Sequence, residues 1–282
     1  MCRHSMRVNL VHTFCLFCLV VSQAESSKSY LRTFVDSRSM ANDSMLQRLS
    51  LDVDTGDIFV AGRNVLYRLC TNLTLQQSVS LGPVCEQSDA ASVCTLSTDN
   101  DPRLLLPFPG GRHLLFCGTS EHGLCSVYDT AELSGRTMAK DSKLSHLGGD
   151  SSVVALFANG GSVGNEETTL YVGHARDRRP NTLSPPVFAA LTITKDTSDI
   201  LKAVYRYENV GTGIRTAMEL SDEGRRQDFR YDFIYTFKHG GFVYFVTVQR
   251  NNTSLHMPYV TKLARVCQAD PGFYSYTEVQ LG

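Results

Sequence analysis

Tryptophan is absent from this chain, so phenylalanine, tyrosine, leucine and valine must fill whatever core it builds. Past the first two dozen residues no uninterrupted apolar run approaches the roughly 20 residues that a membrane-spanning helix needs. An excess of charge of one sign is missing too, with 27 Lys and Arg against 28 Asp and Glu. That balance gives no electrostatic footing for nucleic acid or for an anionic membrane surface. Helical periodicity is weak everywhere, and one short helix is expected around Thr130 to Leu133. No serine sits in a Gly-x-Ser-x-Gly elbow and no His-Glu-x-x-His pattern occurs. His113 and His174 fall in or beside apolar strands, where a structural role is expected. No catalytic residue, metal ligand or cofactor is therefore assigned.

The N-terminus reads as a targeting segment. Arg3 and Arg7 form a basic start, Val8 to Val21 is largely apolar, and Ser22-Gln23-Ala24 resembles a small-x-small cleavage site. This is the pattern of a secretory signal peptide over residues 1–24, too short to be an anchor. Residues 25–282 then form the mature chain, long enough to bury a sizeable core.

One strand unit recurs: a glycine or short turn, a run of β-forming residues, then a small residue and usually glycine. It occurs as Gly56-Asp57-Ile58-Phe59-Val60-Ala61-Gly62, as Gly111-Arg112-His113-Leu114-Leu115-Phe116-Cys117-Gly118 and as Thr168-Thr169-Leu170-Tyr171-Val172-Gly173. A looser fourth copy is Gly241-Phe242-Val243-Tyr244-Phe245-Val246-Thr247. Gly62, Gly118 and Gly173 are 56 and then 55 residues apart. Each unit is followed by a partner strand, at residues 64–69, 123–128, 186–191 and 259–266; the first and last alternate in polarity and are expected to be outer strands with one wet face. Residues 150–158 and 232–237 read as the innermost strands of the third and fourth units. A long period of this content implies radially repeated antiparallel sheets, an all-β propeller.

Six cysteines remain after the signal: Cys70, Cys85, Cys94, Cys117, Cys125 and Cys267. In an oxidising compartment short-range pairs are favoured. Cys85 and Cys94 bracket a polar loop, and Cys117 and Cys125 bracket a hairpin turn. Closing so short a loop contributes roughly 2.7 kcal/mol on the chain-entropy estimate. A zinc site at Cys117, His122 and Cys125 would need a second nearby ligand pair, which the sequence does not offer. Cys70 and Cys267 either bridge each other, or Cys267 needs a partner that this chain lacks. Sequons at Asn42, Asn72, Asn251 and Asn252 lie in polar, turn-like stretches suited to N-glycosylation. Signal, cysteines and sequons agree on an extracellular protein.

Three motifs carry less than they suggest. Asp52-Val53-Asp54-Thr55-Gly56-Asp57 resembles a calcium loop, but its glycine is one place early and the twelfth position is Arg63 instead of an acid. A hairpin turn is expected there. Gly160-Gly161-Ser162-Val163-Gly164 and Gly211-Thr212-Gly213 do not lead from a strand into a helix, as phosphate loops must. Arg176-Asp177-Arg178-Arg179 matches a convertase site, but Pro180 directly after it opposes cleavage.

With the strand units laid out, the chain resembles the first half of a sema domain, specifically that of the plexins. The residues that carry this are Leu73-Thr74-Leu75, Leu81-Gly82-Pro83-Val84 with the Cys85/Cys94 loop, Asp99-Asn100 before Leu104-Leu105-Leu106, and Cys117-Gly118 through His122-Gly123-Leu124-Cys125. They continue with Phe242-Val243-Tyr244-Phe245-Val246-Thr247-Val248-Gln249, Thr261-Lys262-Leu263-Ala264-Arg265-Val266-Cys267 and Phe273-Tyr274-Ser275-Tyr276-Thr277-Glu278. The resemblance implies a partial seven-bladed propeller of about the first four blades, with Cys85 paired to Cys94 and Cys117 to Cys125. It also implies that Cys267 bridges a residue beyond Gly282. Cys70 departs from the family pattern.

As a function, the resemblance implies the ligand-binding ectodomain of a semaphorin receptor acting in cell and axon guidance. Semaphorin would be the protein ligand, with co-receptors or a second copy as further partners. Membrane attachment would come only through C-terminal regions not in this chain. Such a protein sits on the outer face of the plasma membrane, or is secreted if truly truncated. Two alternatives stand beside it. Phe233-Ile234-Tyr235-Thr236-Phe237 resembles the Met/Ron receptor kinases, which share the domain. A secreted propeller enzyme such as a glycosidase would need paired carboxylates that the sequence does not single out.

Overall fold

Runs of β-branched, aromatic and leucine residues, punctuated by glycine turns, can satisfy their backbone only by pairing with sequence neighbours, which yields antiparallel meanders. The computed structural model describes residues 46–85, 97–137, 146–162, 165–175, 177, 188–193, 203–204, 217–218, 231–250, 258–270 and 272–282. The first meander is β1 (Leu46–Leu51), β2 (Ile58–Gly62), β3 (Val65–Leu69) and β4 (Leu75–Ser80), in that spatial order. A two-stranded ribbon, β5 (Val84–Cys85) and β6 (Ser97–Thr98), links it to β7 (Pro102–Pro107), β8 (His113–Gly118), β9 (Cys125–Asp129) and β10 (Gly135–Thr137).

The third sheet holds β11 (Val153–Ser162), β12 (Asn165–His174) and β13 (Phe188–Ile193), with β14 (Ala203–Val204) and β15 (Ala217–Met218) both paired to β13. The fourth is β16 (Tyr231–His239), β17 (Phe242–Arg250), β18 (Tyr259–Cys267) and β19 (Thr277–Leu281). The first strands touch in series, β1 to β7, β7 to β11 and β11 to β16. Four sheets whose first strands adjoin in chain order are four consecutive propeller blades.

The repeated unit is the second strand of each blade: β2, β8, β12 and β17. Its partner is the third strand, and here the structure corrects the expectation of outer strands. In β3 four of five residues are buried. The wet outermost strands are β4 and β19, most of whose residues are exposed. Leu75-Gln76-Gln77-Ser78-Val79-Ser80 has little strand character of its own; it is held by its ladder to β3. The helix expected at Thr130 to Leu133 is instead a turn. Asp129 Oδ1 accepts from the amides of Ala131 at 2.8 Å and Glu132 at 3.3 Å, a side-chain bond that competes with helix formation.

The core lies between blades. Phe59, Ala61 and Leu66 pack against Leu105, Leu114 and Phe116. Leu104, Leu115 and Val127 meet Phe157, Leu170 and Val172. Ala158 and Tyr171 meet Phe233, Val243 and Phe245. The glycines that close the repeats belong to these seams. A Cβ on Gly173 would stand 2.4 Å from the Phe233 ring, and one on Gly118 would stand 1.8 Å from Asn100 Oδ1. Both positions hold glycine because a neighbouring side chain lies directly on the backbone.

A part-buried polar chain stabilises the fourth blade. The Tyr276 hydroxyl donates to Glu278, whose other oxygen accepts from Lys262 Nζ at 2.9 Å and Gln249 Nε2 at 3.5 Å. Burial holds the Tyr231 phenol up at about 12 and raises Tyr276 further, so both stay protonated. Burial by itself would raise Glu278, but the bonds from Tyr276 and Lys262 outweigh it and hold the carboxyl below its ordinary 4.5. A carboxyl depressed in the folded state contributes stability that is present above its unfolded value and lost as pH falls through the folded one. Glu278→Gln is therefore expected to flatten the acid limb of a stability-versus-pH curve below about pH 4.5, measured by urea unfolding. An unchanged acid limb would refute this role.

Candidate binding surface

Antiparallel pairing puts the starts of first and third strands at the same end of every blade as the ends of second strands. One rim of the propeller thus gathers the turns after β2, β8 and β12 and the segments entering β7, β11 and β16. Charged and amide side chains concentrate there. Arg63 Nε donates to Asp101 Oδ1 at 2.8 Å, which also accepts from Gln47 Nε2 at 3.0 Å. Arg63 Nη1 lies 3.6 Å from Asp99 Oδ2. Burial would raise Asp101, but hydrogen bonds from Arg63 and Gln47 and the charges of Arg63 and Arg103 hold it below the usual carboxylate range.

Beside this network Asn64, at φ 64°, accepts from the Asn100 amide at 2.7 Å and donates to Asp99 Oδ1 at 2.7 Å. Asn100 is buried; its Nδ2 donates to the Leu81 carbonyl at 3.0 Å and its Oδ1 accepts from the Ser120 amide at 3.2 Å. These bonds seat the turn between β8 and β9, in which Glu121 and His122 both adopt left-handed backbone. The Cys117–Cys125 disulfide spans the same cross-strand pair. A cleft of about 470 Å³ opens alongside, lined by Ser80, Pro83, Phe116, Leu124, Ser126 and Tyr128 among others.

On the third blade Ser151 Oγ lies 3.2 Å from His174 Nε2 and 3.4 Å from Asp177 Oδ2. The serine hydroxyl donates to the Asp177 carboxylate. A nucleophilic serine would instead give its proton to the imidazole. His174 is fully buried, in keeping with a structural role. Among the described residues no group of three or more His, Cys, Asp or Glu is placed to hold a metal. The calcium-like segment is a turn: Asp52 is 2% exposed and accepts from the Asp54 amide at 2.9 Å and Thr55 Oγ1 at 2.9 Å. Its Asp54 accepts from the Gly110 amide at 2.7 Å, so the turn fastens the first blade to the second.

The remaining sequence-assigned positions divide. Asn72 is exposed in the turn between β3 and β4. Its Oδ1 accepts from Thr74 N at 3.0 Å and from the free thiol of Cys70 at 2.6 Å. Cys267 is buried and disulfide-bonded. Cys85 is described in its backbone alone, in β5. Cys94, Asn42, Asn251 and Asn252 lie outside the described residues, as do Arg178 and Arg179. Among the described residues no helix is long and apolar enough to cross a membrane.

No protein-family model matches the chain. In structure it superposes on the plexin A4 extracellular region with a TM-score of 0.66 and 22% identity, covering 84% of this chain and 27% of that one. The fold is therefore a β-propeller of the kind found in that region. In sequence it is 27% identical to Plexin-A3 of Rattus norvegicus over 96% of this chain, and 28% identical to Plexin-B2 of Mus musculus over 86%. In sequence as in fold the chain is similar to the plexins. It spans 15% and 13% of the lengths of these two relatives.

Proposed function

We infer that this chain is the ligand-binding part of a semaphorin receptor of plexin type, working without catalysis. Residues 1–24 act as the signal peptide and residues 25–282 as the N-terminal portion of a sema propeller. The sequence match to Plexin-A3 over 96% of the chain, laid on four consecutive blades, carries this reading. The blades form a rigid platform, and the polar rim and the blade edges offer loops to a protein ligand. Signalling in cell and axon guidance then falls to regions beyond this chain, at the outer face of the plasma membrane. Sugars at Asn42, Asn72 and one of Asn251 and Asn252 fit a secreted platform, as does a bridge between Cys85 and Cys94.

The test is a surface-binding measurement of the secreted chain against a panel of semaphorin ectodomains, with a hepatocyte-growth-factor-type ligand beside them. Saturable binding to at least one semaphorin is expected. Binding to the growth factor alone would move the chain to the Met/Ron receptors. Sustained turnover of a glycoside panel would refute the receptor reading.

A further inference from the structure

Two arginines on neighbouring first strands stand side by side at the rim. Arg48, on β1, sends its guanidinium across to the second blade, where Nε donates to the Arg103 carbonyl at 3.0 Å; its Nη1 donates to the Gln47 carbonyl at 3.2 Å. Both acceptors are neutral, and Arg48 forms no ion pair among the described residues. Arg103 enters β7 and has one ion pair among the described residues, with Asp150 at 3.6 Å, whose side chain is 92% exposed. So open a pair at that distance contributes little. Arg103 Nε is buried without a hydrogen-bond partner. Partial burial and the neighbouring Arg103 charge lower the Arg48 pKa, so the two cations oppose one another. Arg63 nearby differs, being matched to Asp99 and Asp101.

We propose that Arg48 and Arg103 form a receiving site for one compact oxyanion, in the first instance a carboxylate side chain presented by a protein. A guanidinium pair whose one ion pair, Arg103 with Asp150, is open to solvent gains charge-assisted, fork-shaped hydrogen bonds from such a group. Asp101 and Asp150 border the site and would repel an extended polyanion, so a single carboxylate fits and a sulfated chain does not. Asp150 competes for the same charge from the solvent side. Its removal should open the site further.

Saturation-transfer NMR tests this, using the full chain at micromolar concentration and N-acetylglutamic acid amide as the probe. Saturable transfer at millimolar probe is expected. Arg48→Gln and Arg103→Gln each weaken it about tenfold, the scale of one lost charge-assisted bond. Arg48→Lys retains part of it, Asp150→Asn tightens it at least about twofold, and Arg112→Gln, exposed at the opposite end of the second blade, changes it less than about twofold. Competition by sulfate, against chloride at matched ionic strength, widens the site to any compact oxyanion; failure to compete restricts it to carboxylates. Thermal melts of each variant establish that it is folded. Unsaturable transfer, equal transfer in folded Arg48→Gln, or no gain in Asp150→Asn overturns the proposal.

Discussion

Phe233→Ala is expected to remove about 3–5 kcal/mol of folding stability, a large share of the net stability of an ordinary domain. The ring is 3% exposed and lies between the third and fourth blades. It packs on the bare backbone of Gly173 and makes edge contacts with Tyr231 at 5.0 Å and Phe245 at 5.8 Å. Truncation opens a cavity at a seam where glycine cannot fill the space from the other side, so relaxation is limited. Urea unfolding followed by near-ultraviolet circular dichroism reads the loss, and limited proteolysis should find the fourth blade the first to be cut. Phe233→Leu, which keeps most of the volume, should recover more than half of the loss. A midpoint that barely moves in Phe233→Ala would mean that the fourth blade does not depend on this seam.

Gly118→Ala is expected to cost about 3 kcal/mol, although it adds a single methyl. The new Cβ falls 1.8 Å from Asn100 Oδ1, a distance that cannot persist, so Asn100 must leave its place. With it go the bonds from Asn100 Nδ2 to the Leu81 carbonyl and from the Ser120 amide to Asn100 Oδ1. The backbone gives no reason for glycine at this position, since Gly118 is not among the glycines with positive φ. Steric exclusion by the neighbouring side chain is the cause, and a double-mutant cycle isolates it. In an Asn100→Ala background the methyl finds space, and Gly118→Ala should then cost less than about 1 kcal/mol. Additive costs would show that the two residues do not collide.

Much of the fold was legible because its elements are local. The second and third strands of each blade are contiguous runs, and turns such as Pro109-Gly110-Gly111 join first strands to second; these supplied the propeller reading. The outer strands were harder. Leu75–Ser80 and Gly135–Thr137 carry few β-forming residues and are strands because a ladder is offered to them. Thr130–Leu133 shows the converse: helix-permissive composition yields to one aspartate bonding its own backbone. The rim was not legible. Gln47 meets Asp101 across 54 positions and Arg48 meets the Arg103 carbonyl across 55, separations close to the blade period that no short motif encodes.

The sequence by itself determined that strands recur with a long period, that Cys117 and Cys125 bracket one hairpin turn, and that the chain is all-β. Period-two patterning, turn residues and short cysteine spacing are contacts between near neighbours, so they survive without knowledge of the third dimension. Tertiary structure alone decided why the repeats close in glycine, and which arginines are matched by acids and which are not. Both depend on what the surrounding strands and the adjacent blade place against a given atom. Only three-dimensional packing fixes that.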